Sequence, residues 1–361
     1  MILYFDKKFK FYEIFNPTNG LLIRSNCKKS KKNPTLRAFP ELLDVGIMGN
    51  CHNSINKICE KAGIACYQNG IVCKQDDMNL KNYKKILKQS YHKVFQIALG
   101  GRGDPNKHKF FKEFLYETRK ADIIPNLTTS GVDLSDDEVL NIKKYCGAVA
   151  VSHYSRMRKY HGKYIETSEY TNIAVQKLLD AKCITNIHFV LSKKTIKEAI
   201  ERLKYNLFPK GINAIIFILY KNVGSANSTD IINISQFKKL LEYIQNKTFD
   251  FKIGFDTCCT PMIMNIKNNI VKESIDSCEA ARFSMYIDSN LNAYPCSFDI
   301  GNSLFKESVK NKTIEDVWFS KTFNNFRKQQ EKSCHNCMNK VLCFSRCILN
   351  TGINNICDRG I

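Results

Sequence analysis

Hydrophobic positions along this chain alternate between two rhythms from residue 42 to residue 255. Short runs rich in Val, Ile, Leu and Phe predict strands at LLDVGIM (42–48), VFQIALG (94–100), IIPNLTTS (123–130), GAVAVS (147–152), TNIHFVLS (185–192), AIIFILY (214–220) and FDFKIGF (249–255). Between them stand segments with helical spacing: NLKNYKKILKQSYH, HKFFKEFLYETRKA, SDDEVLNIKKY, EYTNIAVQKLLDAK, TIKEAIERLKYN and ISQFKKLLEYIQNK. Ser135 and Glu138 carry the spacing of a capping box at the start of the third. The strands read as nearly continuous apolar runs, the pattern of strands buried on both faces.

Six successive strand–helix units predict an α/β fold with a parallel sheet. A complete eight-unit barrel needs about 250 residues. Residues 42–247 hold fewer, so the expectation is a partial (β/α)6 TIM-type barrel over 42–255. Before it, residues 1–41 form an N-terminal extension, where FKFYEIF and LLIRS flank a Pro-Thr-Asn-Gly turn and predict a β-hairpin. That hairpin has two readings, a clamp that pairs with a substrate strand or a cap on the barrel. Residues 256–361 lose the alternation and become a cysteine-rich second domain.

Composition narrows the classes. The formal net charge is +21, but 44 Lys against 11 Arg are spread along the chain with only short clusters such as KKSKK (28–32). This distribution does not require a nucleic-acid partner. The start MILYFDKKFK is charged at once, and AIIFILY is too short to span a bilayer, so a cytoplasmic protein with no membrane partner is expected. In a reducing compartment 16 cysteines point to metal or redox chemistry rather than disulfides.

In such barrels the chemistry sits where strands end. The first strand runs into Cys51, Cys59 and Cys66 within CHNSINKICEKAGIAC; the second ends in GGRGDP (100–105), the third in Thr128-Thr129-Ser130-Gly131 and the fourth in Ser152. GGRGDP is neither a Walker loop nor GxGxxG. Its glycines expose backbone to a small polar ligand, and Asp104 adds an acceptor for an ammonium group.

A cysteine triad after the first strand, with a Gly-rich acidic-proline turn after the second, resembles the radical S-adenosylmethionine superfamily. The resemblance implies that Cys51, Cys59 and Cys66 hold a [4Fe-4S] cluster whose open iron binds S-adenosylmethionine. It also implies cofactor contacts from Gly100, Gly101, Gly103, Asp104, Ser130 and Ser152, with Tyr67 beside the adenine. The family spacing of three and two residues is replaced here by seven and six, and Cys59, Cys66 and Cys73 offer a rival frame; zinc or structural thiols are the alternative to a cluster.

Downstream, SCHNCMNKVLCFSRC (333–347) places Cys334, Cys337, Cys343 and Cys347 at gaps of two, five and three, with Cys278 and Cys296 before them and Cys357 after. Seven cysteines exceed one zinc site. The set is similar to the SPASM extension of the same superfamily, departing only at Leu291, where the pattern has Gly. The resemblance implies two auxiliary [4Fe-4S] clusters, three clusters in all. One is held by Cys334, Cys337, Cys343 and Cys357. The other is held by Cys278, Cys296 and Cys347, its fourth position being Cys258, Cys259 or open.

The implied activity is reductive cleavage of S-adenosylmethionine to a 5′-deoxyadenosyl radical that abstracts hydrogen from a peptide or protein substrate, installing a thioether or C–C crosslink. A side-chain oxidase of the sulfatase-maturase kind, or a zinc protein binding nucleic acid, is the alternative. Implied partners are an electron donor such as flavodoxin or ferredoxin and a separate leader-recognition protein, since about 40 residues before the barrel are too few for a leader-binding domain. Cys27, Cys146, Cys183, His153, Tyr154 and Lys221 carry no role beyond packing or solvent contact in this reading.

Overall fold

A computed structural model of the chain describes residues 1–27, 33–72, 74–154, 156–160, 163–166, 169–265, 271, 274–301, 303–332, 337, 343 and 347–349. The N-terminal extension is a three-stranded antiparallel sheet of β1 (Ile2–Asp6), β2 (Phe11–Phe15) and β3 (Leu22–Asn26), so the hairpin gains a strand that the sequence pattern did not mark. Strands β4 (Leu42–Val45), β5 (Gln96–Leu99), β6 (Ile124–Thr129), β7 (Val149–Ser152), β10 (Thr185–Leu191), β11 (Ala214–Leu219) and β12 (Lys252–Phe255) pair in parallel in that order. A small antiparallel ribbon, β8 (Met157–Tyr160) and β9 (Lys163–Glu166), intervenes after β7. A short α1 (Ile58–Lys61) lies in the cysteine loop, and the crossovers are α2 (Leu80–Ser90), α3 (Phe111–Lys120), α4 (Asp136–Tyr145), α5 (Tyr170–Asp180), α6 (Ile196–Lys204) and α7 (Ile234–Gln245). Each crossover helix forms where the periodicity places it. The Ser135–Glu138 capping box is present, both of its bonds formed, and Asn233 and Gln236 build a second one on α7.

The sheet does not stop where the barrel segment ends. After α8 (Thr260–Asn265), strand β13 (Ser284–Ile287) pairs in parallel with β4, and β14 (Asn292–Tyr294) and β15 (Glu307–Ser308) follow antiparallel, giving ten strands in one sheet. Helices α9 (Ile314–Trp318) and α10 (Lys321–Lys332) complete the C-terminal part.

The strands are not buried on both faces. Burial alternates along them: Leu43, Val45, Ile97 and Leu99 are fully buried under the helices, while Asp44, Gln96 and Ala98 are only partly covered. Polar side chains on the inner face line a lumen together with partly covered apolar ones such as Val190, Ile216 and Ile218, which extend the apolar runs set by the outer face.

The N-terminal sheet closes the bottom of this lumen. Phe15 stacks on Phe95 at 5.1 Å, and the turn residues Thr18, Asn19 and Gly20 wall a cavity of about 330 Å³ together with Asn126 and Asn186. Of the two expectations for the hairpin, this is the capping one. Arg37 fastens the three parts. Fully buried, it pairs with buried Glu13 of β2 at 2.7 Å, donates to the Lys93 carbonyl, and offers its own carbonyl to the Trp318 indole N–H of α9. Burying such a pair is tolerable only because the guanidinium's donors are largely used.

Candidate active site

The cysteine loop leaves β4 at the C-terminal mouth, through a turn at His52–Ser54 and then α1. Cys51, Cys59 and Cys66 line one cavity of about 370 Å³, together with Asn53, Tyr220 and Asn227. The sulfurs of Cys51 and Cys66 both lie 3.6 Å from the point where a Cβ on Gly70 would sit. The Gly70 N–H donates to the Cys66 sulfur at 3.3 Å.

Glycines let neighbouring backbone close on this loop. Gly103 of GGRGDP has φ 68°, and a Cβ there would lie 2.6 Å from the Asn50 carbonyl oxygen. Gly224, in the loop after β11, has φ 65° and would place a Cβ 2.4 Å from the Cys66 carbonyl oxygen. Only glycine combines that backbone conformation with that approach. Ser225 then locks Cys66 by two bonds, its N–H to the Cys66 carbonyl at 3.1 Å and its hydroxyl accepting from the Cys66 N–H at 2.9 Å.

Asp104 is a hub. One carboxylate oxygen accepts from the Ser130 N–H at 2.7 Å, and the other accepts from the Ser130 hydroxyl at 2.5 Å and from Asn53 Nδ2 at 2.9 Å. His52 Nε2 stands 3.4 Å away. Asp104, Ser130 and Asn53 are all buried. Among the expected cofactor residues, then, Asp104 and Ser130 hold the cysteine loop to the end of β6. Gly100 and Gly101 lie at the end of β5 on the inner face. Gly101 abuts the Tyr286 ring. Ser152 bonds the Tyr154 hydroxyl, which also reaches Cys59. Tyr67 packs on Phe298 at 4.8 Å. Asn53 and Ser225 were missed in the sequence, where neither belongs to a recognisable spacing, and Tyr154, read there as a packing or solvent residue, bonds both Ser152 and Cys59.

The thiols fit a cluster. Burial, then repulsion from Cys66, Cys51 and Asp104, pushes Cys59 up to about 12, and burial likewise pushes Cys51 up. Thiols held this way keep their protons unless a metal's positive charge replaces them. Among the described residues no three His, Cys, Asp or Glu groups converge tightly enough to hold one metal ion. A zinc ion draws its sulfurs to about 2.3 Å from one centre; an iron–sulfur cube presents its irons at separate corners and accepts a wider set of thiolates.

A second thiol group lies beyond Tyr67. Cys278 and Cys347 both bear electrostatically on Cys258 and on Cys296, on top of the burial that pushes Cys258, Cys278 and Cys296 up. Of the two expected fourth members, it is Cys258 that faces this group. Cys259, fully buried, turns its sulfur to Asp256 at 3.3 Å. Lys221 lies alongside, buried, with Nζ 2.5 Å from Asp256 and 4.4 Å from the Phe298 ring centre. Burial alone would lower its ammonium; Asp256, Cys258 and Cys259 outweigh that and hold it above the usual lysine value. Lys221 thus has an electrostatic role beyond solvent contact. His153 does pack, against Phe189 and Phe208, and Cys146 and Cys183 border the core. Cys337 and Cys343 are described singly, and Cys73, Cys334 and Cys357 lie outside the described residues.

At Leu291 the backbone adopts φ 63°, the left-handed conformation of the glycine it replaces, and the side chain is buried. The turn is kept despite the substitution.

No helix among the described residues is long and apolar enough to cross a membrane. Residues 278–338 match the SPASM family, an iron–sulfur cluster-binding domain. No curated protein matches the chain. Among solved structures, the fold is similar to Streptococcus suis SuiB bound to S-adenosylmethionine, with TM-score 0.66 and 16% identity over 87% of this chain and 74% of that one. SuiB bound to its precursor peptide SuiA gives TM-score 0.65 at 16% identity, covering 87% and 73%. Native anSMEcpe with bound S-adenosylmethionine gives TM-score 0.58 at 17% identity, covering 84% and 88%. With the cysteines at the barrel mouth and the SPASM match downstream, the chain has the partial-barrel fold of SuiB and anSMEcpe, and its residues 278–338 match an iron–sulfur cluster-binding domain.

Proposed function

We propose that the chain is a radical S-adenosylmethionine enzyme that modifies a ribosomally made peptide, forming a thioether or C–C crosslink. The observation that carries this reading is the pair of thiol groups on one sheet, three around an open cavity at the strand ends and four packed beyond Tyr67. A reduced four-iron cluster with S-adenosylmethionine on its open iron supplies a 5′-deoxyadenosyl radical for hydrogen abstraction. The protein's part is to leave that iron open, which three thiols beside a cavity do, and to shield the site from water. A cavity of about 370 Å³ lies within the size range of small-molecule sites.

In the auxiliary group Cys258 would complete four ligands with Cys278, Cys296 and Cys347, which would leave no open iron and suit electron transfer. The resemblance assigns a third cluster to Cys334, Cys337, Cys343 and Cys357, of which Cys334 and Cys357 lie outside the described residues. The likeness to SuiB solved with a precursor peptide supports a peptide substrate. A flavodoxin or ferredoxin supplies electrons.

Side-chain oxidation is the second reading, favoured by the likeness to anSMEcpe. Both reactions remove two hydrogens, but an oxidised Ser or Cys side chain yields an aldehyde that hydroxylamine traps, whereas a crosslink resists it and suppresses fragmentation between the joined residues. The enzymatic reading is tested by reconstituting the protein anaerobically with iron and sulfide, reducing it and adding S-adenosylmethionine. Formation of 5′-deoxyadenosine by a brown protein holding about twelve irons, four in each of three clusters, is expected; a colourless zinc protein that forms none refutes it.

A further inference from the structure

One carboxylate on the inner face of the sheet has no partner. Leu43 and Val45 point into the core beneath the helices, so alternation turns Asp44 into the lumen. The register sets it between Ala98 of β5 and Tyr286 of β13. Deeper polar groups on the same face satisfy one another. Asn126 Nδ2 donates to Gln96 Oε1, and Asn213 Nδ2 to Asn186 Oδ1, both at 2.8 Å. Asp44 makes no hydrogen bond and no ion pair among the described residues. The charged group it feels most is Glu279, another carboxylate, which with Glu41 already holds Arg24.

Even a partly covered carboxylate is disfavoured without a countercharge. The chain has 55 basic residues, yet no described one is placed against Asp44. Its other neighbours are the hydroxyl-bearing rings of Tyr67 and Tyr286. Tyr67 follows Cys66, and the strand bearing Tyr286 leads on to Cys296. Tyr67 is in electrostatic reach of Asp44, Cys66 and Cys296 alike, which sets the carboxylate by the ring that stands between the two thiol groups.

We propose that Asp44 docks a cationic side chain of the substrate, an ammonium or guanidinium that enters the lumen between the two thiol groups. This rests on the peptide-modifying reading above. The cofactor also carries an ammonium, but the carboxylate that bears on Cys51 and Cys59 is Asp104, which sets Asp44 on the substrate side.

The test uses the reconstituted, oxidised holoprotein with S-adenosylmethionine present, as wild type and as Asp44→Asn. The probes are the N-acetyl methylamides of lysine, arginine and norleucine, measured by calorimetry. Wild type is expected to bind the lysine or arginine probe at least about tenfold more tightly than norleucine. Asp44→Asn should bind all three alike, with unchanged affinity for S-adenosylmethionine, unchanged iron content and an undiminished melting temperature. A wild type without that preference overturns the proposal, as does a preference that survives in Asp44→Asn. Loss of S-adenosylmethionine binding in Asp44→Asn reassigns the carboxylate to the cofactor and also overturns it. If wild type shows the preference but forms no 5′-deoxyadenosine once reduced, the docking site stands and the radical reading falls.

Discussion

The two thiol groups are built on the same sheet but in opposite ways. Cys51, Cys59 and Cys66 sit on a loop around a cavity, positioned from outside by Asp104, Ser225 and two close-packed glycines. Cys258, Cys278, Cys296 and Cys347 come from separate segments and are packed against the core, with the Lys221–Asp256 pair at their side. Three thiols around a void leave a coordination position for a ligand. Four thiols packed among themselves do not. In the proposed reading the contrast divides the chemistry, one centre binding and cleaving S-adenosylmethionine and the other only exchanging electrons.

Substitutions at the ligands test this division most severely. Cys59→Ala should abolish 5′-deoxyadenosine formation and remove about one third of the bound iron, as loss of one cluster in three implies. If Cys59→Ala keeps full iron and activity, the triad is misassigned. Cys258→Ala should change the spectroscopic signature of one auxiliary cluster without touching S-adenosylmethionine binding. Cys259→Ala should leave all clusters intact and cost about 1–2 kcal/mol for the small void it leaves. Equal electron paramagnetic resonance spectra for the Cys258 and Cys259 variants would show that the geometry does not distinguish them.

Asp104→Ala removes the acceptor of both the Ser130 N–H and the Ser130 hydroxyl, leaving Asn53 Nδ2 only its bond to Ser130 Oγ, and should lower unfolding stability by about 2–4 kcal/mol. It should also quicken iron loss to a chelator, because the loop loses most of its anchor to β6. Removing the cation in Lys221→Met should lower the reduction potential of the packed cluster while leaving the triad's unchanged, measurable by redox titration.

The smallest effect concerns the turn before Cys296. At an ordinary buried leucine, Gly is worse than Ala, but Leu291 sits at φ 63°. Leu291→Gly should therefore be less destabilising than Leu291→Ala by about 1 kcal/mol in denaturant unfolding.

How far the sequence was readable follows from which distances its patterns span. Helices α2 to α7 and their strands repeat a local period, and Ser135 and Glu138 lie within one turn, so all could be read directly. That Cys51, Cys59 and Cys66 gather at one cavity could be expected from a loop that directly follows a strand. Strands β13 to β15 were not legible, being two to four residues long, and the partner that draws β13 into the sheet, β4, lies far away in the chain. Asp104 was singled out, but its partners Ser130 and Asn53 lie 26 and 51 residues away, so its use as a brace could not be seen. Cys258 and Cys259 are adjacent, and only the direction of each side chain separates them. Leu291 looked like a departure from the SPASM pattern because a sequence records side chains and not dihedral angles.

The pairing of β13 with β4 also governs how the chain can be made. Leu42 finds its partner Ser284 only after the intervening residues have left the ribosome, a wait of about 10–50 s at typical synthesis rates. Throughout that time the edge of β4 that β13 will cover is bare, next to the loop that carries the first cysteines. A nascent chain in this state can collapse on its barrel helices but cannot close its sheet.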